Sequence, residues 1–120
     1  MKYRDWKFVS FAQSHSNFHD PYDIFTREQD DEGNPIPIND DLWRMMEYGR
    51  AFVLSCYQHS GIAWSLINEG TQCQFDTARV AGLVVFQGMA KDLPKGVEAR
   101  KEYVREVLNE YNDYLNGYED

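Results

Sequence analysis

Ala51-Phe52-Val53-Leu54-Ser55-Cys56-Tyr57, the polar break Gln58-His59-Ser60-Gly61, and then Ile62-Ala63-Trp64-Ser65-Leu66-Ile67 form the stretch that sets the architecture. Both runs are apolar, rich in aromatic and β-branched residues, and too short for a buried helix, so each reads as a strand. The short polar break between them makes the pair a hairpin. Beyond the irregular, polar residues 71–78, Val80-Ala81-Gly82-Leu83-Val84-Val85-Phe86 repeats the strand signature, with Gly82 marking a bulge or a close backbone approach. Upstream, residues 6–11 alternate loosely, with Trp6 and Phe8 on one face and Val9 and Phe11 on the other, which supplies a fourth strand.

From residue 97 the period changes. Val97, Tyr103, Val104, Val107, Leu108, Tyr111, Tyr114 and Leu115 recur at steps of three and four, the signature of an amphipathic helix. Its last part is acidic, opposing the helix dipole, so residues 116–120 read as a frayed tail. A short helix begins near Asp41, capped by Asn39 or Asp40, carries Leu42, Met45 and Met46, and stops at Gly49. Residues 13–39, rich in His, Ser, Asn, Asp, Gly and Pro, read as one long acidic loop. The expectation is a single α+β domain: an antiparallel sheet of about four strands against a long C-terminal helix, with the short helix on that same face.

A length of 120 residues suits one hydrophobic core, and 42% hydrophobic residues with 15% aromatics can bury it. The formal charge of −8 excludes a nonspecific nucleic-acid binder, because phosphate contacts need clustered cations. No apolar run approaches the ~20 residues needed to span a bilayer, and no signal peptide is legible, so no membrane association and a cytoplasmic location are expected. Cys56 and Cys73 are then expected as free thiols.

The densest candidate constellation is His59-Ser60-Gly61 together with Cys73, Phe75, Asp76 and Thr77. If strands 51–57 and 80–86 are antiparallel neighbours, the turn after the first and the loop before the second meet at one end of the sheet. Cys73 as nucleophile, His59 as base and Asp76 as its orienter have the types that thiol chemistry needs. Three polar residues at this spacing also arise by chance, and the same residues read as a structural turn with a small buried thiol. His15 and His19, four apart, hint at zinc with His59 and Cys73, but paired metal-ligand spacing is lacking. Asp30-Asp31-Glu32 lacks the alternation of a calcium loop. No metal and no cofactor are therefore expected. Negative charge is concentrated in two blocks, six acids and one Arg over residues 20–32, and five acids without a base over 106–120. Such blocks steer toward cationic surfaces, including the groove of a nucleic-acid-handling enzyme. Asp30, Asp31 and Glu32, with His59, Ser60, Asp76 and Thr77, are the candidate binding residues.

Tyr57-Gln58-His59-Ser60-Gly61, Cys73-Gln74-Phe75-Asp76-Thr77-Ala78 and the tyrosines and leucine of 111–115 resemble a set of small uncharacterised bacteriophage and mobile-element proteins. Those carry Tyr-x-His-Ser-Gly, Cys-x-Trp-Asp-Ser-Gly-x-x-Gly and Tyr-x-x-Tyr-Leu stretches, and the likeness covers roughly residues 51 to 117. Phe75, Thr77 and Ala78 stand where that set has Trp, Ser and Gly, while Gly82 matches its last glycine. The resemblance implies a phage accessory protein, in the cytoplasm of a bacterial host, that binds and modulates a host protein. An anti-restriction or anti-CRISPR inhibitor of a defence nuclease is its most concrete form. A thiol-dependent hydrolase or transferase using Cys73 and His59 is the alternative, and an oligomerising virion or replication component a third.

Overall fold

In the computed structural model, which describes residues 2–12, 18–59 and 61–117, the chain is α+β. Strands β1 (Trp6–Ser10), β4 (Ala51–Gln58), β5 (Ile62–Leu66) and β6 (Thr77–Phe86) form one curled antiparallel sheet in the order β1-β6-β4-β5. The hairpin β4–β5 pairs Leu54 with Leu66 and Cys56 with Trp64. β6 lies between β1 and β4, where the Val80–Phe86 run is shielded from water on both faces, which is why it lacks polar alternation. It begins at Thr77, earlier than the expected residue 80, because its first residues continue the ladder with Cys56 and Tyr57 beyond an irregularity. At that irregularity the buried Ser55 hydroxyl donates to the Arg79 carbonyl at 2.6 Å, satisfying a backbone group the ladder leaves unpaired.

Gly82 has the close approach its position suggested. A Cβ there would stand 2.5 Å from the Val9 carbonyl oxygen and 3.0 Å from the Trp64 ring, so β1 and the indole crowd in only because the position has no side chain.

The helix α2 (Val97–Leu115) lies on one face of the sheet and buries Val104, Val107 and Leu108 against Trp6, Phe52, Leu54, Trp64, Val84 and Phe86. The opposite face, Val9, Ala51, Val53 and Leu83, is not open. It is covered by Phe25 and by Leu42, Met45 and Met46 of the short helix α1 (Asp40–Glu47). The two helices therefore sit on opposite faces, a correction to the expectation that both cover one. β4 and β6 are apolar on both sides, and a single helix layer would leave one side in water.

Of the expected 13–39 loop, the described residues 18–39 hold more structure than a loop. They include a 3-10 turn, Pro21–Asp23, capped by Asp20, and an antiparallel pair, β2 (Phe25–Gln29) with β3 (Pro35–Pro37). Only Phe25 in β2 and Pro37 in β3 are buried, so an alternating pattern never forms, and two prolines in a three-residue strand mask it further. Helix α1 is capped as expected, the Asn39 side chain accepting from the Asp41 amide at 2.7 Å. It ends at Gly49, whose φ of 73° suits glycine and whose α-carbon faces the Arg100 side chain at close range.

The end of α2 is pinned rather than loose through Asn116; residues 118–120 lie outside the described residues. The Asn112 side chain accepts from the Trp64 amide at 2.8 Å and donates to the Trp64 carbonyl at 2.9 Å. Asn116, one turn later, does the same with Ile62 at 3.0 and 2.8 Å. Two amides spaced i, i+4 on a helix thus stand in for a neighbouring strand along the edge of β5, closing backbone groups that would otherwise be open to pairing. Arg105 adds a bidentate bridge to Glu69 just beyond β5, at 2.9 and 2.8 Å, and a contact to Glu102.

Candidate functional site

β4 and β6 run antiparallel, so the residues after β4 and before β6 do meet. The His59 Nδ1 lies 3.1 Å from Asp76 Oδ2, and the Cys73 sulfur lies 3.9 Å from the same oxygen. Residues 73–77 form one closed turn. The Thr77 amide donates to the Cys73 carbonyl at 2.9 Å, the Thr77 hydroxyl accepts from the Cys73 amide at 2.9 Å and donates to the Thr71 carbonyl, and the Gln58 amide donates to the Asp76 carbonyl. Thr77 is therefore a structural residue of this turn. Ser60 falls outside the described residues, as does His15 of the expected histidine pair.

The order of the three chemical groups matters. Asp76 stands between thiol and imidazole, so the imidazole contacts the carboxylate and the carboxylate contacts the sulfur. Thiolate chemistry needs a base or a cation at the sulfur, with the carboxylate on the far side of the imidazole. The arrangement serves instead to fix the His59 ring, which also lies nearly parallel to Tyr57 with centroids 6.4 Å apart. Cys56 is buried, and burial pushes its thiol up to about 11. Both cysteines are free. Among the described residues no group of three or more His, Cys, Asp or Glu side chains is placed to hold a metal ion.

Phe75, at the crest of the turn, is 88% exposed. It overhangs a cavity of about 300 Å³ lined by Cys56, Gln58, Trp64, Asp76 and Ala81. A phenylalanine between Gln74 and Asp76 is the only trace the sequence holds of this exposure, and it does not say which way the ring points.

The acidic block of residues 30–32 forms the tip of the β2–β3 hairpin. Asp30 holds the tip together: its Oδ1 accepts from the Glu32 amide at 2.9 Å and from the Asn34 amide at 2.8 Å, which leaves Asp31 and Glu32 turned to solvent. The tip is fastened to the sheet by Arg79, whose Nη2 donates to the Gly33 carbonyl at 2.7 Å and whose Nε donates to Asn68 Oδ1 at 2.8 Å. Arg79 is two residues beyond Thr77 in β6, so the acidic tip and the Phe75 turn rise from the same end of that strand. Arg79 thus ties the base of the acidic tip, at Gly33, to β6 and to Asn68 beyond β5.

Trp43 and Glu47 of α1 were not expected as functional residues. The Trp43 indole donates to Glu47 Oε1 at 2.6 Å and remains 40% exposed beside the hairpin. The i, i+4 spacing of an aromatic donor and a carboxylate is the signal that could have shown them. Among the described residues no helix is long and apolar enough to cross a membrane. No protein family, curated protein or solved structure matches the chain.

Proposed function

We propose that this protein binds and modulates another protein through a cationic surface of that partner, with the end of β6 as its contact region. The observation that carries the reading is the Arg79 clip, which fastens to β6 the hairpin tip that bears the exposed carboxylates of Asp31 and Glu32, with the protruding Phe75 on the turn that leads into the same strand. Fixed carboxylates steer a basic partner and lose little entropy on contact. A protruding aromatic ring supplies the apolar anchor, and burying one is worth roughly 1.5–3 kcal/mol.

The partner class is a nucleic-acid-handling enzyme, whose substrate groove carries the opposite charge. With the phage-like motifs of residues 57–61 and 73–78, the most concrete form is an accessory protein that inhibits a host defence nuclease. The test is DNA cleavage by purified restriction and CRISPR nuclease complexes, with and without the protein. Inhibition that is relieved in an Asp31→Asn, Glu32→Gln variant supports the reading. It fails if no complex is bound or inhibited, or if the variant inhibits as well as the native chain.

The alternative, a thiol-dependent hydrolase or transferase, is opposed by Asp76 standing between the Cys73 sulfur and the His59 imidazole. It requires a Cys73 that alkylates far faster than an ordinary thiol.

A further inference from the structure

Helix α2 stops at Gly117, whose φ of 81° is a left-handed turn that suits a residue without a side chain. Stopping there sets a glycine directly after Asn116, the one Asn-Gly pair in the chain. In such a pair the backbone nitrogen of the glycine attacks the side-chain carbonyl carbon of the asparagine, and no Cβ on the glycine hinders the approach. A C–N bond forms, the side-chain nitrogen leaves as ammonia with the proton given up by the attacking N–H, and the product is a cyclic succinimide. Water then opens either ring carbonyl to leave aspartate or isoaspartate. One water is consumed and one ammonia released, and no oxidant or cofactor takes part.

In the folded chain both reacting groups are occupied. The Asn116 side chain is exposed, yet its Oδ1 accepts from the Ile62 amide at 3.0 Å and its Nδ2 donates to the carbonyls of Ile62 at 2.8 Å and Asn112 at 2.9 Å. The Gly117 nitrogen is bonded to the Tyr114 carbonyl at 3.2 Å. Gly61 closes over the pin so tightly that a Cβ there would stand 2.8 Å from Asn116 Oδ1. The attack therefore requires the last turn of α2 to open.

The same contacts distinguish the amide from its product. Two of the three are donated by Nδ2, and a carboxylate has no proton to donate. Its second oxygen would face two carbonyl oxygens instead, and its charge would lie at the C-terminal end of a helix, where the macrodipole opposes it.

We propose that Asn116 is a deamidation site that the fold holds in check, and that its conversion unpins the start of β5. Loss of ammonia makes the step irreversible. Asn112 continues to hold Trp64, so the opening is confined to Ile62 and its neighbours. The strand end so released offers backbone groups for pairing with another chain.

The experiment incubates the full chain in mildly alkaline buffer, folded and in urea, and follows every asparagine by peptide mass mapping. In urea, Asn116 is expected to convert ahead of all the others. In the folded chain it should convert roughly tenfold more slowly, the scale on which a few exposed hydrogen bonds hold a helix end shut. Gly61→Ala alters neither reacting residue but drives a methyl onto Asn116 Oδ1, and should return most of the lost rate while native hydrogen exchange at the Trp64 amide reports an intact sheet. Converted protein, separated by anion exchange, should show faster exchange at the Ile62 amide and native exchange at Trp64. Conversion in urea no faster than at the other asparagines overturns the site. Equal rates folded and in urea, or a folded Gly61→Ala chain that converts like the native one, overturn control by the fold. Native exchange at Ile62 after conversion overturns the unpinning.

Discussion

Replacing Asn112 by alanine removes the side chain that takes both the amide and the carbonyl of Trp64. These groups sit on the outer edge of β5, half shielded by α2, so neither is fully returned to water when the asparagine goes. An unsatisfied buried backbone group costs about 1–3 kcal/mol. For two partly shielded groups roughly 2–3 kcal/mol is expected, offset by about 0.5 kcal/mol because alanine is the better helix former. For a chain of 120 residues, an unfolding entropy of roughly 2.1 cal/mol/K per residue means that each kcal/mol lowers Tm by about 4 °C. The expected fall is therefore about 6–10 °C, read by thermal unfolding in circular dichroism. Hydrogen exchange should show the Trp64 amide losing protection while the β4–β6 ladder keeps its own. Asn116→Ala, whose bonds to Ile62 are exposed, should cost less, under about 1 kcal/mol. A Tm for Asn112→Ala within 2 °C of the native value, or unchanged exchange at Trp64, would refute the view that these amides close the edge of the sheet.

Gly82→Ala drives a methyl into the Val9 carbonyl oxygen and the Trp64 ring, and urea unfolding should show a loss of about 1–3 kcal/mol or more. The Glu69 carboxyl is held below its usual range, first by hydrogen bonding to the Arg105 guanidinium and then by its charge. A depressed carboxyl stabilises the fold above its unfolded value and loses that contribution as pH falls through the folded one. Glu69→Gln should thus lower stability by up to about 1 kcal/mol at neutral pH, with the two unfolding midpoints converging in acid as Glu69 protonates. Burial and a raised thiol leave Cys56 inert, so iodoacetamide at pH 8 should label Cys73 alone, and at the rate of an ordinary thiol. A much faster Cys73 favours the thiol-enzyme reading.

The strands of the sheet and the long helix are legible because each satisfies its own burial requirement along the chain. Val80–Phe86 is apolar throughout because it is flanked by strands and covered on both faces, and α2 repeats at its own period. The β2–β3 hairpin is not legible, since its stability comes from Phe25 reaching the second core and from Arg79 reaching Gly33 across 46 positions. Such contacts leave no local periodicity. Placement of α1 fails for a related reason: an amphipathic stripe says that a face is buried, not which side of the sheet buries it. That the turn after β4 and the loop before β6 share one end of the sheet follows from antiparallel pairing and is readable in advance; the contact of His59 with Asp76 is not. The order of Cys73, Asp76 and His59 is not, because it depends on a turn closed by Thr77.

The most direct measurement for the central claim is an affinity capture from bacterial host lysate, comparing the native chain with a variant carrying Asp30→Asn, Asp31→Asn and Glu32→Gln. The amide at position 30 keeps an oxygen for the Glu32 and Asn34 backbone, so the tip should hold its shape while losing its charge. A basic protein retained by the native chain, released by salt and not retained by the variant is the result predicted. Equal retention by both forms, or retention by neither, contradicts it.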